Sequence, residues 1–156
     1  FTSVAGFEAN GGYLLGTDVQ LNDQLLKALP TRDAVLPAIM LLVAAENSSI
    51  SALVNTLPMR FTDSNRIQNF ATEKSQAIIV QGKDDPASLL VQLGFDDVVI
   101  KNVDETDGLR MTLEDERIIH LRPSGNAPEL RCYAEAETYS IANQYVVRTL
   151  KNIQTL

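Results

Sequence analysis

Hydrophobic and polar positions alternate along this chain with two different periods, and each period predicts a different element. The segment "ELRCYAEA" (129–136) places Leu130, Cys132 and Ala134 at every second position, which predicts a strand with one buried face. The segment "SIANQYVVRTLKNIQ" (140–154) spaces its apolar residues three and four apart, which predicts an amphipathic helix. The last quarter of the chain therefore predicts a strand followed by a helix.

The preceding residues extend this pattern into a small sheet. We expect a strand at the β-branched "AIIVQ" (77–81), a short helix at "DDPASLLVQLG" (84–94), a strand at "DDVVIKNV" (96–103), and two strands around a charged turn in "GLRMTLEDERIIHLRP" (108–123). Short strands joined by turns favour antiparallel pairing. Residues 75–156 thus predict an α+β domain with helices covering an antiparallel sheet.

The first half of the chain predicts an α/β arrangement instead. A strand at "YLLG" (13–16) follows a glycine-rich loop, a buried helix is predicted at "TRDAVLPAIMLLVAAEN" (31–47), and a second helix at "SISALVNTL" (49–57). The following stretch is polar, aperiodic and interrupted by proline, which favours a boundary. We therefore predict an incomplete α/β domain over residues 1–60, a linker over 61–74 and the α+β domain over 75–156.

Composition narrows the class of protein. Of the 156 residues, 45% are hydrophobic and 21% charged, which is typical of a globular protein, and a formal net charge of −7 argues against a nucleic-acid or anionic-membrane partner. The longest apolar run, residues 35–45, is shorter than the roughly 20 residues of a membrane-spanning helix. A single cysteine and a single histidine argue against disulfides and zinc. We expect a cytoplasmic protein, no signal peptide, and a fragment of a longer chain.

A local concentration of positive charge stands out against this acidic background. In "HLRPSGNAPELRCY" (120–133), Arg122 and Arg131 flank a turn, and a hairpin would bring both guanidinium groups to one side. Guanidinium groups bind phosphate oxygens bidentately, while Ser124 and Gly125 offer a hydroxyl and an adaptable backbone. These residues predict a clamp for a phosphate monoester. The alternative is a plain β-turn whose arginines pair with Glu129 or Glu135, and the residues alone leave both interpretations open.

Two motifs resemble those of a known family. The stretch "RPSGNAPELRCYAEA" resembles the C-terminal phosphate-binding loop of the α-D-phosphohexomutases, whose pattern is Arg-Pro-Ser-Gly-Thr-Glu-Pro and then a second arginine. The stretch "GFEANGG" (6–12) resembles the sugar-recognition loop of the same family's third domain, with its Gly-Glu-x-Ser-Gly-His pattern. The motifs occur in family order, and the similarity extends over nearly the whole chain.

The resemblance implies roles for individual residues. The site for the phosphate that is not transferred would be lined by Arg122, Ser124, Gly125 and Asn126 and supported by Arg131. Asn126 stands where the family usually has threonine. Glu8 would accept hydrogen bonds from two sugar hydroxyls, beside Asn10, which stands where serine is usual. Gly12 replaces the family's common histidine, so that role has no counterpart here.

The resemblance also implies a reaction. Phosphohexomutases such as phosphomannomutase and phosphoglucomutase move a phosphoryl group between positions 1 and 6 of a hexose through a bisphosphorylated sugar. Their phosphoserine and their aspartate-rich magnesium loop belong to earlier domains, and neither motif occurs in this sequence. We therefore expect Mg²⁺ in the full-length enzyme but none bound by this fragment, no catalytic residue here, and inactivity of the fragment alone. Expected partners are a mannose or glucose phosphate, the missing N-terminal domains, and a second copy through the exposed edge of the incomplete domain.

Two other classes of function remain open: a stand-alone sugar-phosphate binding or regulatory module, and a structural domain whose loop arginines pair with acids. We assign no chemistry to several other polar residues. His120 is expected to be a packing or edge residue and Cys132 a small buried hydrophobic one. Asp104, Glu105 and Asp107 are expected to be turn residues, and Arg32 and Asp33 to pair or to cap a helix.

Overall fold

The computed structural model describes residues 3–8 and 11–156, and the chain divides into two compact units, residues 1–58 and 59–156. Within the described ranges, no helix has the length and apolar character needed to cross a membrane.

The first unit combines short strands with two helices. Its described elements are β1 (Ala5–Phe7), β2 (Tyr13–Leu15), β3 (Val19–Leu21), β4 (Gln24–Leu26), β5 (Leu29–Asp33), α1 (Val35–Ala44) and α2 (Ile50–Val54). Strands β1, β2 and β5 form a sheet in that order, and β3 pairs with β4 in a separate hairpin. All of these pairs are antiparallel. The β3–β4 hairpin was not predicted from the sequence; its turn contains Asn22 at φ 52°, a left-handed conformation that asparagine tolerates.

Helix α1 differs from its prediction in both length and burial. It begins at Val35, because residues 29–33 continue as β5, and the Asp33 carboxylate accepts hydrogen bonds from the backbone N–H groups of Val35 and Leu36 at 2.7 and 3.2 Å. The sequence predicts a buried helix, yet none of its described residues is buried. Apolar side chains become buried only where other elements cover them, and the described part of this unit does not cover α1.

The second unit is built on a five-stranded antiparallel sheet. Its elements are β6 (Phe61–Gln68), α3 (Thr72–Asp84), α4 (Pro86–Gln92), β7 (Ile100–Asp104), β8 (Leu109–Leu113), β9 (Ile118–Pro123), β10 (Glu129–Ala136) and α5 (Tyr139–Ile153). The strand order is β6-β10-β9-β8-β7, which confirms the predicted α+β domain. Leu130, Cys132 and Ala134 are fully buried, as their alternation predicts.

All three helices cover the same face of this sheet. Helix α5 packs on β6 and β10, α3 on β8, β9 and β10, and α4 on β7. Thr138 caps α5 by accepting a hydrogen bond from the Ile141 N–H at 3.3 Å. Leu89, Leu109, Ile119 and other buried side chains form one core between helices and sheet. The opposite face of the sheet is left for polar side chains.

Two predictions for this unit need correction. Residues 77–81 lie inside α3 and not in a strand, because Ser75, Ile78, Ile79 and Gly82 recur at helical spacing and bury one side of the helix. Residues 61–74 are not a linker: 61–68 form the edge strand β6, which pairs with β10 over its whole length. Of the residues in β6, only Ile67 is buried, so its alternation carries little hydrophobic signal.

Candidate functional site

Three arginines lie in one row across the second unit's sheet. Arg131 on β10 is directly opposite Arg66 on β6 and directly opposite Arg122 on β9. Residues directly opposite in antiparallel strands point to the same face, with Cα atoms about 4.5–5.5 Å apart. Because Leu130 and Cys132 point to the covered face, the arginines project from the open face, at the end of β9 and β10 where residues 124–128 connect them. The structure therefore brings Arg122 and Arg131 together as the hairpin prediction requires.

Arg122 forms an exposed ion pair with the turn between β7 and β8. Its Nε lies 2.9 Å from Oδ1 and 2.8 Å from Oδ2 of Asp107, and the two side chains are 44% and 60% exposed. The same turn is held by His120, whose Nε2 donates to the Asp107 carbonyl at 2.6 Å and whose ring lies 5.6 Å from that of Tyr133. His120 therefore has the packing role expected of it. Within this turn, the Thr106 N–H donates to Asp104 and lowers the pKa of that carboxyl.

Arg66 and Arg131 share a single carboxylate. Oε2 of Glu129 lies 3.4 Å from Nη1 of Arg66 and 3.6 Å from Nη2 of Arg131, and the Glu129 side chain is only 12% exposed. Glu135, the other acid proposed for the loop arginines, instead pairs with Arg60 and Arg110. The acid pairing that the plain-turn interpretation expects is thus present for Arg131 through Glu129.

The connecting loop presents backbone donors beside Arg122. The Ser124 N–H donates to the Glu129 carbonyl at 2.9 Å, and Ser124 Oγ accepts from the Asn126 N–H at 3.4 Å. Gly125 does not adopt a positive φ, and a Cβ placed on it would meet no atom within 4 Å. In the described part of the chain, the Gly125 N–H has no protein acceptor. The loop surface is therefore open to an approaching ligand.

The predicted sugar-binding residues belong to the first unit. Glu8 follows β1, its N–H donates to the Gly12 carbonyl at 2.8 Å, and its Oε1 accepts from Nη2 of Arg32 at 2.8 Å. Asn10 lies outside the described residues. Gly11 adopts φ 91°, which glycine allows in this tight hairpin. Glu8 borders an apolar depression of about 350 Å³ between this hairpin and α1.

Cys132 lies between Arg131 and Tyr133 on β10, but its thiol is not available as a nucleophile. Burial raises the pKa of the Cys132 thiol to about 12, so it stays protonated and unreactive. In residues 3–8 and 11–156, no three histidine, cysteine or carboxylate side chains are grouped so that they could hold a metal ion.

Sequence reasoning missed Arg66 and Asp107 as members of this site. A strand with a polar face is indicated by the alternation of Thr62, Ser64 and Arg66 against Ile67. The signal is weak, because a proline precedes this strand and few of its residues are apolar. Asp107 could not be paired with Arg122 from sequence, since their approach depends on how β8 registers with β9.

Comparison with known proteins identifies relatives of this chain. The profile of the phosphoglucomutase/phosphomannomutase C-terminal domain matches residues 69–151. A phosphomannomutase from Salmonella muenchen is 53% identical over 155 residues, covering 99% of this chain and 32% of the relative. A phosphomannomutase from Sinorhizobium fredii (strain NBRC 101917 / NGR234) is 40% identical over 152 residues, covering 94% of this chain and 31% of the relative.

The chain thus spans about a third of the length of these curated relatives. The profile match lies within the α+β unit, and together with the two relatives, which align with nearly the whole chain, it confirms the resemblance inferred from the two loop motifs. This chain belongs to the phosphoglucomutase/phosphomannomutase family and contains that family's C-terminal domain.

Proposed function

We propose that this chain is the substrate-binding part of a phosphohexomutase of the phosphomannomutase type, and that Arg122, Arg131 and the loop between them hold the phosphate that is not transferred. The observation that carries this proposal is the register that sets Arg131 directly opposite Arg122 beside an open loop. Two guanidinium groups on one side of a hairpin match the oxygens of a phosphate monoester.

The free site can exchange its internal partners for a ligand at low cost. Exposed ion pairs such as Arg122 with Asp107 contribute only about 0.2–1 kcal/mol, so the Arg122 guanidinium can turn to a phosphate dianion. Hydrogen bonds to charged groups contribute about 1.5–3 kcal/mol each. The Gly125 N–H, the Ser124 hydroxyl and the Asn126 amide add neutral donors that orient the phosphate.

Glu8 and Asn10 would read the sugar hydroxyls in this proposal. Arg32 holds Oε1 of Glu8, and a carboxylate has about four lone-pair sites, so acceptors remain for two hydroxyl groups. Recognition of the phosphate and of the sugar hydroxyls would thus rest on separate sets of residues.

We also propose that phosphoryl transfer depends on upstream residues of the whole protein, so that the chain alone binds and does not react. This agrees with its coverage of about a third of each relative. Upstream residues would cover the exposed apolar side of α1, and a second copy would replace them in the isolated chain. A cytoplasmic location agrees with the free thiol of Cys132.

A structural role is the second candidate, and the ion pairs of Arg122 with Asp107 and of Arg131 with Glu129 favour it. In that case the loop arginines would stabilise the turn and bind nothing. The two functions differ in what happens when Arg122 is removed.

Calorimetric titration of the chain with mannose 1-phosphate, glucose 1-phosphate and inorganic phosphate separates these candidates. We expect Arg122→Ala to weaken binding of all three about tenfold or more, and Glu8→Ala to weaken the sugar phosphates selectively. Lys151→Gln on α5 controls for the loss of one positive charge. If Arg122→Ala lowers the Tm without changing affinity, or if the unaltered chain binds none of the three, the binding proposal is wrong.

A further inference from the structure

A polar pocket lies beside the arginine row, on the side away from β9. It has a volume of about 470 Å³ and is lined by Ser64, Asn65, Arg66, Arg131 and Tyr133, on β6 and β10. Neither Arg122 nor the loop residues 124–126 line it. Arg131 therefore stands between the loop and this pocket, and Arg66 is the second cationic side chain of the pocket.

The contacts of Glu129 show what Arg66 can reach. One oxygen, Oε2, lies 3.4 Å from Arg66 and 3.6 Å from Arg131, so both guanidinium groups converge on a single anionic oxygen. Each guanidinium has five N–H donors, and Glu129 engages only a fraction of them. The Arg66 side chain is 49% exposed, so its remaining donors are available to a ligand in the pocket.

The charge balance of the row favours an anionic ligand. Like charges directly opposite each other in neighbouring strands are destabilising, and here three arginines stand opposite one another on an open face. Glu129 and Asp107 are the carboxylates that pair with them, which leaves one positive charge in excess. A bound phosphate dianion would more than compensate that excess.

We propose that Arg66 is a third guanidinium of the phosphate site and binds phosphate-monoester oxygens from the β6 side of Arg131. This inference rests on the proposed function, since it adds a residue to the same site. Glu129 positions Arg66 and Arg131 when no ligand is present. Arg66 precedes residues 69–151, which the family profile matches, and it is not part of the loop motif at 122–136.

The test compares Arg66→Gln, Arg66→Lys and Lys151→Gln with the unaltered chain, using mannose 1-phosphate and inorganic phosphate as ligands in calorimetry. We expect Arg66→Gln to weaken both ligands about five- to tenfold and Lys151→Gln to weaken them less than about twofold. Arg66→Lys keeps the charge but loses the planar fork, so intermediate affinity is expected.

Thermal unfolding distinguishes the two roles of Arg66, because a purely structural role predicts that the ligand-free Tm of Arg66→Gln falls. Removing a like charge from the row leaves the ligand-free Tm of Arg66→Gln unchanged or raised, while its gain in Tm on adding phosphate shrinks. A lowered ligand-free Tm with unchanged affinity overturns the inference.

Comparison with Arg122→Ala separates this inference from the proposed function. If Arg122→Ala loses affinity while Arg66→Gln behaves like Lys151→Gln, Arg66 is no part of the site and the proposed function stands. If neither Arg122→Ala nor Arg66→Gln changes affinity, the proposed function fails as well.

Discussion

At the scale of single residues, a step of one position along β10 separates the candidate site from the core. Arg131 and Tyr133 line the open face, and Cys132 between them is fully buried against the helices. Burial raises the pKa of the Cys132 thiol to about 12 because the thiolate loses its hydration. A cysteine between two residues of the candidate site is therefore shielded from chemistry by strand geometry alone.

This shielding predicts that Cys132 resists alkylation in the folded chain. We expect iodoacetamide at pH 8 to label it very slowly under native conditions and fully once guanidinium chloride unfolds the chain, because reaction requires an exposed thiolate. Mass spectrometry of the intact chain measures the labelled fraction. Rapid labelling with an unchanged circular dichroism spectrum would contradict the packing of β10 against α5.

At the scale of elements, the β7–β8 turn sets the position of Asp107 and hence the resting state of Arg122. Gly108 in this turn has φ 92°, and a Cβ there would collide with the carbonyl oxygen of Leu121 on β9. Gly125 in the loop between β9 and β10 has neither constraint. The two glycines thus have different roles: Gly108 permits close approach of two strands, and Gly125 leaves a surface open.

Alanine substitution of these two glycines should change the free energy of unfolding by very different amounts. We expect Gly108→Ala to lower the free energy of unfolding by about 1–3 kcal/mol, since its backbone conformation and its contact with β9 both become strained. Gly125→Ala should change stability by less than about 0.5 kcal/mol. Urea denaturation curves measure both. Equal stability of the two variants would show that the β7–β8 turn does not constrain Gly108.

At the scale of the whole molecule, β6 decides where the second unit begins. Sequence patterning predicts a domain over residues 75–156, but the structure starts this unit at residue 59. Removing residues 59–74 would delete β6, expose the edge of β10, and remove the first residues of α3. An unpaired strand edge and a shortened core-facing helix both favour aggregation.

We therefore expect residues 59–156 to form a monomer that unfolds cooperatively, and residues 75–156 to unfold at lower denaturant concentration or to aggregate. Size-exclusion chromatography and denaturation of both truncated chains test this. A shorter chain as stable as the longer one would show that β6 is an accessory strand, and would also remove Arg66 from any folded site.

The sequence by itself determined the elements in which local chemistry and hydrophobic period agree. Strand β10 and helix α5 follow from alternation and helical spacing, and the two loop motifs were sufficient to place the chain in its family. The strand predicted at residues 77–81 is wrong. The β-branched run favours a strand locally, but burial at helical spacing across 75–82 favours α3.

Only the tertiary structure decided that β6 exists as an edge strand, that Asp107 lies beside Arg122, and that Arg66 joins Arg122 and Arg131 in one row. These are consequences of strand register, which brings together residues 15 positions apart in the chain, Asp107 and Arg122, and 65 positions apart, Arg66 and Arg131. Strand β6 is polar and has one buried residue, so its hydrophobic pattern is too weak to predict this pairing from the sequence.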